Sequence, residues 1–375
     1  MQHFDAIVIG TGAVGSAAVF ELARRGAKVL GVDRYDPPHD RGSSHGATRM
    51  IRQAYFEHVD YVPLLRRAYE LWNDLEERVG RTLFEQVGLV EVGPSDGVVV
   101  PGVLAAAHMH SLRVETLGSE EFVNRFPMLR LPDRFQAVFE PTAGYLHVEA
   151  CIAAYLELAR RAGAELRTHT EAKWKPDGGG VVADLNGEMI TADRCIVTQG
   201  AWAGELLRDL GIQLTVRRKP LYWYHCATDV YAQSRGMPCF FFELPEGQFY
   251  GFPAVNEMGL KVARHDGGRI VSDPAKVDCS LDLVDQTAIE RFLTSHLPGV
   301  SQHCLDMQVC MYTMSPDEHF IVDRHPEFPQ VVLATGLSGH GFKFACVLAE
   351  TLADLALDAH TSLPVEFLSI RRFLA

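Results

Sequence analysis

The chain lacks any pair of cysteines at Cys-x-x-Cys spacing; its eight cysteines are scattered over 375 residues. That weighs against a cysteine metal clip or a disulfide framework and points to free thiols in a reducing compartment. No apolar run approaches the length of a membrane span. No basic stretch or cleavage-site pattern precedes the first apolar residues, and the final "RRFLA" matches no lipidation or peroxisomal signal. A cytoplasmic protein is the expectation. Positive charge is in deficit as well: a net charge of −13 argues against nucleic acid or an anionic membrane surface as a general partner. Internal repeats and low-complexity linkers are also missing. What is there, 47% apolar and 22% charged residues, suits a globular protein long enough for two domains or one large α/β unit.

The pattern along the chain begins with "FDAIVI" (4–9), a short apolar run suited to a buried parallel strand. "GTGAVGSAAVFELARRG" (10–26) predicts a tight turn and an amphipathic helix, and "KVLGVD" (28–33) a second buried strand, completing a βαβ unit. After a Pro- and Gly-rich loop (37–46), residues 61–80 show helical periodicity. Short strands and short helices follow to about 145. A second strong amphipathic helix is expected over 147–166, and a strand over 193–202 that ends in Gly, Ala and Trp. Residues 214–320 return to β-rich segments with one helix near 283–296; a strand (330–336) and a helix (about 341–358) close the chain. The composite is α/β: a Rossmann-like dinucleotide domain interleaved with a β-rich one. The expected division assigns 1–80, 146–213 and 321–375 to the first, and 81–145 and 214–320 to the second.

Four stretches carry chemistry. Gly10-x-Gly12-x-x-Gly15 follows a strand and opens a helix: Gly10 permits the turn, Gly12 lets backbone approach a pyrophosphate, and Gly15 lets helix and strand pack closely. The helix N-terminus offers unpaired N–H groups to phosphates, and Asp33 ends the second strand where a carboxylate can bond a ribose hydroxyl. The motif does not separate FAD from NAD. "GSSHGATRMIR" (42–52) is a small-residue loop suited to a flat ligand, and Arg49 and Arg52 offer planar forks to a carboxylate or phosphate; a solvated basic loop is the plain alternative. In "FYGFPAVNEMGLKVARH" (249–265) strand alternation puts Lys261, Ala263 and His265 on one face, which is also common on any solvated edge. "GLSGHGFKFA" (336–345) is a second Gly loop before a helix, and its Lys343 would oppose the helix dipole unless an anion is held there. Cys310, heading "CMYTMSPDEHFIVD" (310–323), is on chemistry alone as readily a buried apolar residue as a reactive one.

Taken together these residues resemble, nearly end to end, the monomeric sarcosine oxidase and N-methyl-L-tryptophan oxidase family of FAD amine oxidases. The resemblance rests on the entry fingerprint, "DPPH" (36–39), "GSSHGATRMIRQAY" (42–55), "YVPL" (61–64), "YGFP" (250–253), "CMYTMSPDEHFIVD" and "SGHGFKF" (338–344). It implies a glutathione-reductase-type, D-amino-acid-oxidase-like fold and a covalent FAD, joined by a thioether from Cys310 to its 8α-methyl group. By the same resemblance, Gly10, Gly12, Val14, Gly15, Asp33, Arg34, Ser43, Thr48, Gly200, Gly339, Gly341, Phe342 and Lys343 bind the cofactor, and His45 and Arg49 sit against its ring. Arg52 and Lys343 would clamp a substrate carboxylate, Tyr250 and His265 would line the substrate pocket, and Lys261 would serve the reaction with oxygen. A small amino-acid substrate and O2 are the implied partners, and the low count of obvious exposed apolar runs in the sequence favours a monomer. The implied activity is oxidation of a secondary amino acid, most simply sarcosine, to an imine that hydrolyses to formaldehyde and the amino acid, with H2O2 formed. N-methyltryptophan, pipecolate or proline as substrate, or a dehydrogenase that does not use O2, stay open. The chain departs from the family at Ser44, Ala47, Gln53 and Phe56, where other members often have His, Asp, His and Gly.

Overall fold

The computed structural model describes residues 1–374. The expected βαβ unit opens the chain: β1 (Gln2–Ile9), α1 (Ala13–Arg24) and β2 (Val29–Val32). Strands β1 and β2 pair in parallel, β1 pairs in parallel with Glu188–Val197, and that strand pairs in parallel with Val331–Thr335. Glu165–Arg167 extends the edge beside β2, and an antiparallel meander, Ala172–Asp177 and Gly180–Leu185, extends the other side. Because β1 is covered on both faces, its apolar residues run unbroken from Ala6 to Ile9: Ala6 and Val8 pack with the helices, while Ile7 and Ile9, with Phe4 before the exposed Asp5, join the opposite cluster.

The helix α1 is not amphipathic in its setting, contrary to the expectation for residues 10–26. Every residue from Ala13 to Ala23 is buried, because α1 packs against the helices Val148–Arg161 and Ala345–Leu357 as well as the sheet. Its one buried acid, Glu21, is held by Arg24 and Arg25 at 2.5–2.8 Å. The helix Tyr61–Val79 does follow the periodicity. Leu64, Leu65, Ala68, Trp72 and Leu75 form its buried face, and Gly80 in the left-handed conformation caps it. Trp72 Nε1 donates to the Lys343 carbonyl at 2.8 Å, fastening this helix to the C-terminal Gly loop. The second amphipathic helix ends at Arg161 and the expected 193–202 strand ends at Val197, giving way to a 3-10 turn at Gly200–Trp202.

A second sheet of eight strands uses residues 89–140 and 215–314. Strand alternation sorts its two faces. Val90, Val92, Phe240, Phe242, Phe249 and Val262 pack under the helix Leu283–His296. The other face carries Leu89, Phe241, Tyr250, Ala263 and Cys310. Glu91 and Lys261 lie in register with that face, both buried. A three-stranded sheet, Thr48–Ile51 with Gly144–His147 and Phe84–Glu85, sits apart from both and carries Thr48 and Arg49.

Candidate active site

One long cavity is lined by residues from both large sheets and from the loops between them. At one end lie Gly10, Gly12, Val14, Asp33 and Arg34; at the other lie Arg52, Phe241, Tyr250, His265 and Lys343.

The first end is made largely of backbone. Gly10 has φ +88°, and a Cβ there would stand 2.7 Å from the Thr198 carbonyl oxygen. A Cβ on Gly15 would run into the Gly10 carbonyl oxygen, so this glycine is demanded by the protein's own packing. Gly12 differs, since a Cβ there would meet nothing nearer than Ser44 Oγ at 3.8 Å. The protein itself does not require glycine at that point, which leaves room for a ligand to approach the backbone. Gly12 also caps α1 with no side-chain hydrogen bond and no acid in the first turn, so the helix N-terminus is free of protein anions. Asp33 accepts from the Thr11 amide at 2.7 Å and the Tyr35 amide at 2.9 Å, with His39 Nε2 at 3.4 Å. Burial opposes its charge, but His39 and the two amides hold its carboxyl below the ordinary value. Beyond it, Arg34 pairs with Glu171 at 2.9 Å and lies over the Trp202 ring, and Gly200 takes φ +54°. A glycine-rich helix start free of acids, followed by a fixed carboxylate 23 residues on, fits a dinucleotide such as FAD.

The middle of the cavity is closed by the C-terminal Gly loop and by the strand that carries Cys310. Gly339, at φ +83°, lies against the Tyr312 ring so closely that a Cβ would overlap it; Gly341 and Phe342 also line the wall. Cys310 is buried, with Sγ 3.3 Å from the Ser43 carbonyl oxygen and 3.2 Å from Arg49 Nη2. Ser43, Arg49 and Met311 reach the cavity, and Cys310 sits immediately behind them.

At the far end two cations are buried together. Arg52 donates from Nη2 to both Glu57 oxygens at 2.8 Å, and its guanidinium lies 4.7 Å from the Tyr55 ring centre and 4.6 Å from that of Phe56. Burial alone would raise the Glu57 carboxyl, but Arg52 pulls it down to about 2. Lys343 Nζ donates to the His340 carbonyl at 2.8 Å and lies 3.3 Å from Tyr55 Oη. Burial and the like charge of Arg52 lower it to about 7. Tyr250 Oη is 3.3 Å from Tyr312 Oη, and burial raises that phenol. His265 packs against Phe241, Tyr250 and Tyr312, and this desolvation pushes the imidazole down to about 3. It is therefore neutral at physiological pH.

Some residues singled out in the sequence stand behind the cavity wall. Lys261 is buried and donates to the Gly46 carbonyl at 2.6 Å and the Thr48 carbonyl at 2.7 Å. Burial, with Arg49 nearby, depresses it well below the ordinary lysine value. The strand ends at Arg264, but the His265 amide still donates to the Gln248 carbonyl at 2.7 Å, and His265 packs against Phe241 and Tyr250, so it keeps the face expected for Lys261, Ala263 and His265. Neither ring nitrogen of His45 has a hydrogen-bond partner, and burial with the Arg49 charge lowers it to about 4. Lys343 sits in a 3-10 turn, Phe342–Phe344, and the helix itself starts at Ala345. Among the described residues no cluster of His, Cys, Asp and Glu could hold a metal ion, all eight cysteines are free, and no helix is long and apolar enough to cross a membrane.

The structure adds partners that were not singled out in the sequence. Glu57, on Arg52, follows the 42–55 motif by two residues. Phe241 and Tyr312 complete the aromatic wall, and Tyr55 Oη meets His340 Nδ1 at 2.6 Å. Glu91 is the lone acid in an apolar strand, "LVEV", and the fold buries it.

Residues 5–355 match the family described as FAD dependent oxidoreductase. The chain is 39% identical to the monomeric sarcosine oxidase of Bacillus sp. (strain B-0618), covering 99% of this chain and 96% of that one. It is 38% identical to the N-methyl-L-tryptophan oxidase of Yersinia pestis (strain Pestoides F), covering 99% and 100%. Among solved structures, NikD, an amino acid oxidase of nikkomycin biosynthesis, superposes with a TM-score of 0.86 at 25% identity, covering 98% of each chain. The L-proline dehydrogenase of P. horikoshii shares the fold, with a TM-score of 0.86 at 22% identity over 99% of this chain and 98% of that one.

Proposed function

The chain belongs to the FAD dependent oxidoreductase family, and from that premise we propose that it is an oxidase of secondary, N-methyl amino acids, with sarcosine the simplest substrate. The observation that carries this is the pair of buried cations at the cavity's far end. Arg52 already holds one carboxylate there, that of Glu57, which supports a guanidinium able to bind a carboxylate in the cavity. FAD, when bound, would supply the two-electron acceptor for the substrate C–H bond, with O2 as the final acceptor and H2O2 the product.

The remaining chemistry falls to side chains of this chain. Arg52 and Lys343 bind the carboxylate and so fix the orientation of the amine. Neutral His265 and Tyr250 offer no anion to hold an ammonium, and the buried cations Arg52 and Lys343 oppose a further positive charge, which favours the free amine, the form whose lone pair assists oxidation. Lys261, fastened to the Gly46 and Thr48 carbonyls, is assigned to the step with oxygen by resemblance, with Arg49 and His45 against the flavin ring. Cys310 is assigned the thioether; its support is a buried sulfur beside Ser43 and Arg49, which both line the cavity. The imine product leaves to water, which yields formaldehyde and the demethylated amino acid. A monomer in the cytoplasm, divided between the two large sheets at the boundaries given above, completes the proposal.

One feature favours a second substrate. Phe241, Tyr250 and His265 give the far end an aromatic lining, and Phe56 stacks on Arg52. A bulkier or cyclic secondary amino acid, such as N-methyltryptophan, pipecolate or proline, has more surface to place there. Anaerobic mixing with each of these and with sarcosine decides the matter. Bleaching of the flavin by sarcosine at the lowest concentration supports the first substrate; bleaching by none contradicts the oxidase assignment.

A further inference from the structure

Glu91 is the one acid near Arg52 that the proposed chemistry leaves without a role. It is fully buried in the strand Leu89–Pro94, facing the same interior as Phe241. Neither of its carboxylate oxygens has a hydrogen-bond partner, and neither does Arg52 Nε, which lies 3.6 Å from Glu91 Oε1. A buried carboxylate without donors is costly and calls for a cause. Its location supplies one: Glu57 is held by Arg52 Nη2 at 2.8 Å and Glu91 lies beside Nε, so the clamp arginine is shared by two acids.

We propose that Glu91 sets the charge of the substrate-carboxylate site: as an anion beside Arg52 Nε it opposes an incoming substrate carboxylate, and as the neutral acid it admits one. The charged groups around it set its behaviour. Burial dominates and raises its carboxyl to about 8; Glu140 and Glu57 push the same way, while Arg52 and Lys343 pull against them. Glu140 does not take over the role, because its oxygens accept from the Gln53 and Ala54 amides at 2.8 and 3.0 Å and from Thr142. Near pH 7 Glu91 is mostly protonated and Glu57 balances Arg52, so the surplus positive charge of the far end is that on Lys343. As pH rises, Lys343 loses its proton near 7 and Glu91 becomes an anion near 8, so the far end turns net negative from within. Substrate binding and proton uptake by Glu91 are thereby linked, and the site prefers amino acids to uncharged amines only while Glu91 stays neutral.

The inference rests on the carboxylate clamp proposed above, and acetate probes it without turnover. The flavin-containing protein is titrated with acetate at pH 6 and pH 9, and the flavin absorbance reports binding. Glu91→Gln, similar in size and unable to ionise, is expected to match the wild type within about threefold at pH 6. At pH 9 it should bind acetate about tenfold more tightly than the wild type, the factor for one pH unit above the titration point. Equal affinities at both pH values, or weaker binding by the variant at pH 9, overturn the proposal. Should Glu91→Gln not fold, Lys343→Arg carries the test. Its cation does not titrate in this range, so an about tenfold weakening from pH 6 to pH 9 belongs to Glu91, and a flat profile overturns the proposal. Acetate that leaves the flavin unperturbed at every pH contradicts the clamp itself and this inference with it. Acetate that binds with a pH profile unaltered in Glu91→Gln removes this inference alone.

Discussion

The two ends of the cavity are built by different means. The end around Gly10, Gly12 and Asp33 is a contiguous stretch of chain in which backbone geometry does the recognising. The end around Arg52, Glu57, Glu91 and Lys343 is assembled from segments that are hundreds of residues apart, and its behaviour is set by how buried charges balance one another. Ligand shape is imposed at the first end; at the second, ligand charge is negotiated.

Substitutions at the two ends should therefore fail in different ways. The largest effect is expected from Gly15→Ala, whose Cβ would enter the Gly10 carbonyl. Overpacking of this kind costs about 3 kcal/mol or more in a site that cannot yield. Little soluble yellow protein should be recovered, and a normal yield with full flavin content would contradict the packing account. Arg52→Ala should leave the flavin content intact and lower kcat/KM about 10²- to 10⁴-fold, since it removes the guanidinium proposed to hold the substrate carboxylate and leaves the Glu57 anion without its ion-pair partner. Flavin loss in this variant would mean the two ends are not separable. Lys261→Met should slow reoxidation by O2 about 10²-fold or more, with anaerobic reduction by substrate changed less than about threefold. Equal slowing of both half-reactions in stopped-flow traces would move Lys261 into the substrate step. Gly12→Ala should be mildest for the fold, because the site has open space. Thermal stability of the flavin-free protein should change by about 0.5 kcal/mol or less, whereas flavin retention falls. Unchanged flavin content would show that Gly12 does not meet the ligand.

This contrast also explains what the sequence could disclose. The turn, helix, strand and acid of residues 4–33 were legible because each requirement is local: a φ only glycine tolerates, a close approach, a helix start, a strand end. Even there the helix face was misjudged. The apolar residues of α1 cover all sides because helices from residues 148 and 345 onward pack over it, and no local pattern announces that. The second end was legible in part. Arg52, Tyr250, His265 and Lys343 were named, and all four line the cavity. Glu57 and Glu91 were passed over because an acid beside an arginine reads as an ordinary ion pair and an acid in a strand as a solvated edge. Only the topology, which turns Glu91 inward and folds residue 57 back on Arg52, gives them a site. Cys310 is the intermediate case. Its strand was readable, but its place behind Ser43 and Arg49 depends on pairing between segments that lie 261 residues apart.

That juxtaposition of the late cysteine with the early loop is the centre of the account, and acid precipitation tests it most directly. The purified yellow protein is denatured in acid and centrifuged, and the colour is followed in the wild type and in Cys310→Ser. A yellow wild-type pellet, with the colour moving to the supernatant in Cys310→Ser, is the expected result. Colour released from the wild type into the supernatant would contradict the covalent assignment of Cys310.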